Sequence, residues 1–227
     1  MKYGNGISQE DNFRYLIEYG KTHHCDLFLF PGDMVDFPSK GTSHEAYLAF
    51  EKAQNYMYVP GNHEQGEPYY AYYKEATGGS PDIQVKELDE LLVVGVDNGC
   101  HTVSDTVMQK LQELLRGNRP VILLHHIPLD TETLHPAATA FWGDITYFLF
   151  GIAGKGENID NYYALLNEEK TALKAILAGH LHFSHVDFLK NGKSVFYVVG
   201  EAHMLGDDGL VNKLTEAGYT VELVKFD

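Results

Sequence analysis

Residues Leu27-Phe28-Leu29-Phe30-Pro31-Gly32-Asp33-Met34-Val35-Asp36 place four apolar side chains before a Pro-Gly stop, then two carboxylates three positions apart. Such a run predicts a short buried strand that ends abruptly. Asp33 then sits at the C-terminal end of a strand, where open α/β sheets hold their ligands.

The same pattern recurs three times. An apolar run at 56–59 stops at Pro60-Gly61 and presents Asn62-His63-Glu64. Pro120 opens the run 121–124, which leads into His125-His126-Ile127-Pro128. A run at 175–178 leads into Gly179-His180-Leu181-His182. Four strand exits bearing carboxylate, amide and imidazole groups imply one convergent site, because the strand ends of a sheet lie side by side. The donors are N and O with no thiolate, which suits Mn, Fe, Zn, Co or Ni and not a thiolate-held structural zinc.

Between these exits the spacing predicts helices over 9–22, 43–54, 69–76, 104–116 and 167–175. Strands are expected near 82–87, 91–96, 184–190, 194–199 and 217–226, with Asn191-Gly192 as a hairpin turn. The segment 129–166 is rich in glycine and aromatics, has no clean period and exceeds an ordinary connection, so it reads as an inserted lid or loop. Phe141, Trp142, Tyr147, Phe148 and Phe150 within it form either an aromatic wall that selects the leaving group or a small satellite core. The expectation is one α/β domain over 1–227, with two packed sheets and helices outside.

Composition narrows the function. A net charge of −15 argues against nucleic acid as a partner, since such binding relies on Lys and Arg neutralising phosphates. Bound divalent cations would reverse the sign locally and admit a small anionic substrate. Two cysteines, Cys25 and Cys100, are too few for a disulfide scaffold and read as small core residues. The sequence has no membrane-length apolar run and no secretory leader, which gives a cytoplasmic expectation with no membrane partner.

The order and wording of the four motifs resemble the calcineurin-like metallophosphoesterase superfamily, over about residues 9 to 225. The resemblance implies a four-layer α-β-β-α sandwich of two mixed sheets. It also implies a two-metal centre whose activated hydroxide attacks a small phosphomonoester or phosphodiester. Carried over by motif, Asp33 resembles the carboxylate bridging both metals. Asn62, His125 and His180 resemble the other ligands of one metal, and His182 a ligand of the second. His125 is preferred to His126 because it directly follows the apolar strand, leaving His126 as a structural or supporting donor. His63 resembles the histidine that bonds the phosphoryl group or protonates the leaving oxygen, with Asp36 orienting its ring.

One departure qualifies the resemblance. The family pattern opens with Asp-x-His after a first strand, and Met1 to Ser8 contain neither. The expectation is a chain begun late, or a natural variant with one strand fewer, with one metal site complete and the other left with Asp33 and His182. The rival function is a degenerate, non-catalytic module that binds metal, phosphate or protein. His23, His24, His44, His101, His135 and His185 are assigned to surface or hydrogen-bonded positions, and His203 is a weaker pocket candidate.

Overall fold

The computed structural model describes residues 9–33, 55–152, 156–183, 185–188 and 194–197. The expected helix at 43–54, the strand at 217–226, Asp36, His203 and the residues before Gln9 lie outside them.

Strand alternation divides the core into three seams, and the seams define the layers. Strands β1 (Phe28–Phe30) and β2 (Tyr56–Tyr58) pair in parallel, Phe28 opposite Tyr56 and Phe30 opposite Tyr58. Their even-numbered residues Phe28, Phe30, Tyr56 and Tyr58 pack outward against Ile17 of α1 (Gln9–Thr22) and against Tyr69 and Tyr73 of α2 (Glu67–Thr77). Gly20 of α1 permits this approach, since a Cβ there would overlap the Phe28 ring. The odd-numbered residues Leu27, Leu29, Met57 and Val59 face the other way, as a period of two requires.

They meet a second sheet of six strands. Its order is β3 (Ile83–Glu87), β4 (Leu92–Val96), β5 (Val121–Leu124), β6 (Leu173–Ala178), β8 (Ser194–Tyr197), β7 (His185–Phe188). The four inner strands run parallel, and β3 and β7 pair antiparallel at the two edges. Val93, Ile122, Leu124 and Leu177 project toward the small sheet and join Met57 and Val59 in the seam between sheets. Leu92, Val94, Val96, Val121, Leu123, Leu173 and Ile176 project to the far face. There they pack on α3 (Asp105–Leu115), α4 (Leu134–Trp142) and α5 (Ile159–Leu166). Two sheets lie inside and helices outside, which is the α-β-β-α sandwich.

Three expectations change. Residues 129–166 are not a structureless insertion, because they contain α4 and α5 and bury Leu129, Leu134, Leu149, Phe150, Tyr162 and Leu166 in the main core. Their alternating glycines and aromatics obscure a helical period that packing supplies. The helix expected over 167–175 is absent. Asn167 closes α5 with its backbone N–H on Tyr163 O, and β6 begins at Leu173. Pairing of β6 with β5 inside the sheet outweighs the helical preference of Glu168, Glu169 and Lys170. Cys25 and Cys100 are exposed, not core residues.

Candidate metal centre

The exits of β1 and β2 from the small sheet and of β5 and β6 from the large one meet at one end of the inter-sheet seam. The turns are tight: Asp33, His180 and His182 all adopt positive φ, at 57°, 75° and 59°. Left-handed backbone at non-glycine residues costs about 1–2 kcal/mol each and gathers at functional sites. Gly61 lets the β1 and β2 exits touch, because a Cβ there would strike the Asp33 backbone and carboxylate.

The structure brings Asp33, Asn62 and His180 together, and the fourth member is His126 in place of His125. Alternation explains the correction. Leu123 faces the outer helices and Leu124 the inter-sheet seam. His125 therefore returns to the helix side, where its Nδ1 lies 2.9 Å from the Tyr162 hydroxyl of α5, and His126 projects into the site. His125 is fully buried, and burial pushes its imidazole down to about 3.

Hydrogen bonds fix the tautomers of both site histidines. His126 Nδ1 contacts Pro31 O, and His180 Nε2 lies 3.0 Å from Tyr147 O. A carbonyl only accepts, so each of those nitrogens carries the hydrogen, and in the neutral rings His126 Nε2 and His180 Nδ1 hold lone pairs. These two nitrogens lie 3.0 Å apart. Asn62 Oδ1 lies 3.1 Å and Asp33 Oδ2 3.2 Å from His126 Nε2. Four acceptors thus converge with no donor among them. Ligands bound at about 2.1 Å to one ion lie about 3 Å from each other, so the donor set and its spacing fit a divalent cation. One ligand atom each from Asp33, His126 and His180 lies within 4.8 Å of the others.

The electrostatics agree. Burial would raise the Asp33 carboxyl, but protonation of the His126 and His180 imidazoles on the nitrogens that face it holds it well below the carboxylate range. Burial alone would lower the His126 imidazole, and the Asp33 carboxylate more than reverses it, so its net shift is upward. The cluster therefore favours added positive charge, which either a proton or a cation would supply.

The other candidates occupy the cleft around this cluster, a space of about 420 Å³. His63 is exposed on its wall, with its backbone N–H 3.2 Å from Asp33 Oδ1. His182 is exposed on the rim, edge-on to Trp142 with ring centroids 5.7 Å apart, and is not a member of the acceptor cluster. Burial lowers its imidazole, with partial opposition from Asp33. Asp36 lies outside the described residues.

Sequence reading missed a fifth exit, Asp97-Asn98-Gly99-Cys100-His101 after β4. Fully buried Asn98 accepts the N–H groups of His126 (3.0 Å) and Ile127 (2.9 Å) through Oδ1 and donates to Ile127 O at 2.7 Å. It thereby sets the backbone that aims His126. His101, assigned above to the surface, lines the cleft with Gly99. Asp97-Asn98-Gly99 after an apolar strand is the same punctuation that marked the other exits.

The family is shown by sequence. The calcineurin-like phosphoesterase profile matches residues 6–184, and the chain belongs to that family. Metal-dependent phosphoester hydrolysis is the general chemistry this membership carries. A TraB/PrgY/gumN family profile matches residues 184–223. No curated protein is significantly similar in sequence. Among solved structures, the fold is similar to a dimetal phosphatase from Danio rerio, with 14% identity, TM-score 0.60, and 84% of this chain and 77% of that one covered. It is also similar to the phosphopantetheinyl hydrolase of Mycobacterium tuberculosis, with 13% identity, TM-score 0.51, and 77% and 78% covered. No helix among the described residues is long and apolar enough to cross a membrane.

Proposed function

We propose that the chain is an active metal-dependent phosphoesterase for small phosphorylated molecules, working at the cluster of Asp33, Asn62, His126 and His180. The observation that carries this reading is the convergence of four acceptors whose tautomers are fixed by Pro31 O and Tyr147 O. A divalent cation held there would supply Lewis acidity for the phosphoryl group and lower the pKa of water toward neutrality. Asp33 contributes the negative charge and His126 and His180 the neutral nitrogens, so the cluster retains an ion yet leaves its cleft side open to substrate. His63, on the cleft wall beside Asp33, is proposed to protonate the leaving oxygen. Asp36 is its proposed orienting partner, on the strength of the sequence motif. His182 is proposed to face a second metal position at the rim.

The test is hydrolysis of p-nitrophenyl phosphate and bis(p-nitrophenyl) phosphate by Mn-loaded protein, with metal content measured alongside. Turnover is expected for at least one ester, lost on chelation and restored by Mn, and His126→Ala should lose metal and turnover together. Hydrolysis that survives both chelation and His126→Ala would overturn the proposal.

A further inference from the structure

We infer that this site accepts phosphoesters whose alcohol carries a planar aromatic ring, seated on the cleft rim formed by Tyr147 and Phe148. The inference rests on the phosphoesterase reading for where the phosphoryl group sits, and goes beyond it in naming what is attached.

Tyr147 is 69% exposed and lines the cleft beside Phe148. Single exposed aromatics are ordinary on protein surfaces. This one belongs to a built wall. Phe148 stacks face to face on Trp142, with centroids 4.6 Å apart and planes 10° from parallel. The Trp142 indole N–H donates to Leu181 O at 3.0 Å, between His180 and His182, which ties the wall to the β6 exit. The lining residue His101 lies against the Tyr147 backbone and has Phe150 in a parallel stack behind it at 6.2 Å. The cleft therefore presents flat rings held from behind.

The wall is registered to the metal-binding cluster. His180 donates from Nε2 to Tyr147 O at 3.0 Å, while its Nδ1 faces Asp33 and His126. One imidazole and one hydrogen bond thus join the rim to the acceptor cluster, which puts Tyr147 and Phe148 in the same cleft as a phosphoryl group held there. About 420 Å³ is ample for a ring as well as a phosphate, within the usual range of small-molecule pockets. Among the described residues no Lys or Arg lines the cleft. The described lining thus offers a planar ring π-faces on which to stack.

The test compares matched esters. Adenosine 5′-phosphate and ribose 5-phosphate share a leaving alcohol and differ in the base; benzyl and cyclohexylmethyl phosphates differ in ring planarity. Affinity for Mn-loaded protein is read by stopped-flow quenching of Trp142, the single tryptophan, and kcat/KM by phosphate release. Stacking predicts that the planar member of each pair binds about tenfold more tightly. Tyr147→Leu should bring that ratio toward one, and Tyr147→Phe should retain it. Preference in the nucleotide pair alone, lost in Tyr147→Leu, would assign the ring to a nucleobase. Ratios near one in both pairs, no binding of any member, or a preference indifferent to Tyr147→Leu would overturn the inference. Hydrolysis of all four esters without ring preference would leave the phosphoesterase reading standing. Ring-selective binding without hydrolysis would reject only that reading.

Discussion

Glu64, fully buried after β2, accepts the backbone N–H of Asp33 at 2.8 Å across the gap between two strand exits. The same Oε2 accepts the Gly61 N–H at 2.6 Å. One carboxylate oxygen thus sets the turn that aims Asp33 and the turn that aims Asn62, in a place where water cannot substitute. Glu64→Ala strands both donors at about 1–3 kcal/mol each. It should lower unfolding free energy by roughly 2–6 kcal/mol and weaken Mn binding about 10–100-fold. Denaturant unfolding and metal titration of the same preparation measure the two effects.

The histidine pair separates site from core. His126→Ala should abolish stoichiometric metal binding. His125→Phe should keep the metal but cost about 1–3 kcal/mol, because the Tyr162 hydroxyl loses its buried partner. Metal analysis and thermal melts should show this crossed pattern; metal loss in His125→Phe with retention in His126→Ala would reverse the assignment.

Acid should unfold the metal-free protein partly through His125. Its pKa is about 3 in the folded state against about 6.5 when unfolded, so between those values the unfolded chain binds more protons. Its contribution is complete above pH 6.5 and is lost as pH falls toward 3, at up to about 1.4 kcal/mol per pH unit. Denaturant unfolding from pH 7 to 4 should show this slope, diminished in His125→Phe.

His126 acts in the opposite sense. Its raised pKa stabilises the metal-free fold below 6.5, and that contribution is lost as pH rises through the folded value. A cation must displace this proton, so Mn affinity should rise with pH in the same window and binding should release protons. Calorimetry in buffers of different ionisation enthalpy measures the release; Mn affinity independent of pH and binding without proton release would refute it.

His63 is expected to divide catalysis from binding. Its side chain lies outside the acceptor cluster, and the backbone N–H that meets Asp33 survives substitution. His63→Ala should retain Mn and lower kcat by about 10²–10⁴. Equal metal loss in His63→Ala and Asp33→Ala would refute the division.

Much of the layered fold was legible because strands 27–30, 56–59, 121–124 and 175–178 are short apolar runs, three closed by Pro or Gly and one opened by Pro120. Such runs have few alternatives in an α/β chain. Asp33, Asn62 and His180 were legible because each directly follows such a stop. The two helices inside 129–166 were not, since Leu134, Ala138, Tyr162, Leu165 and Leu166 take their positions by packing on the large sheet. Nor was the end of α5 at Leu166, where strand pairing overrode local preference.

The sequence by itself determined which residue types collect at the strand ends, since strand stops and polar exits are local features of the chain. Only the tertiary structure decided which face each exit addresses. Adjacent residues on a strand point to opposite sides, so the packing of β5 between the small sheet and α5 sends His125 to Tyr162 and His126 to Asp33. Long-range contacts alone made Glu64, Asn98 and Tyr147 supports of the site, because their partners lie on other strands and loops.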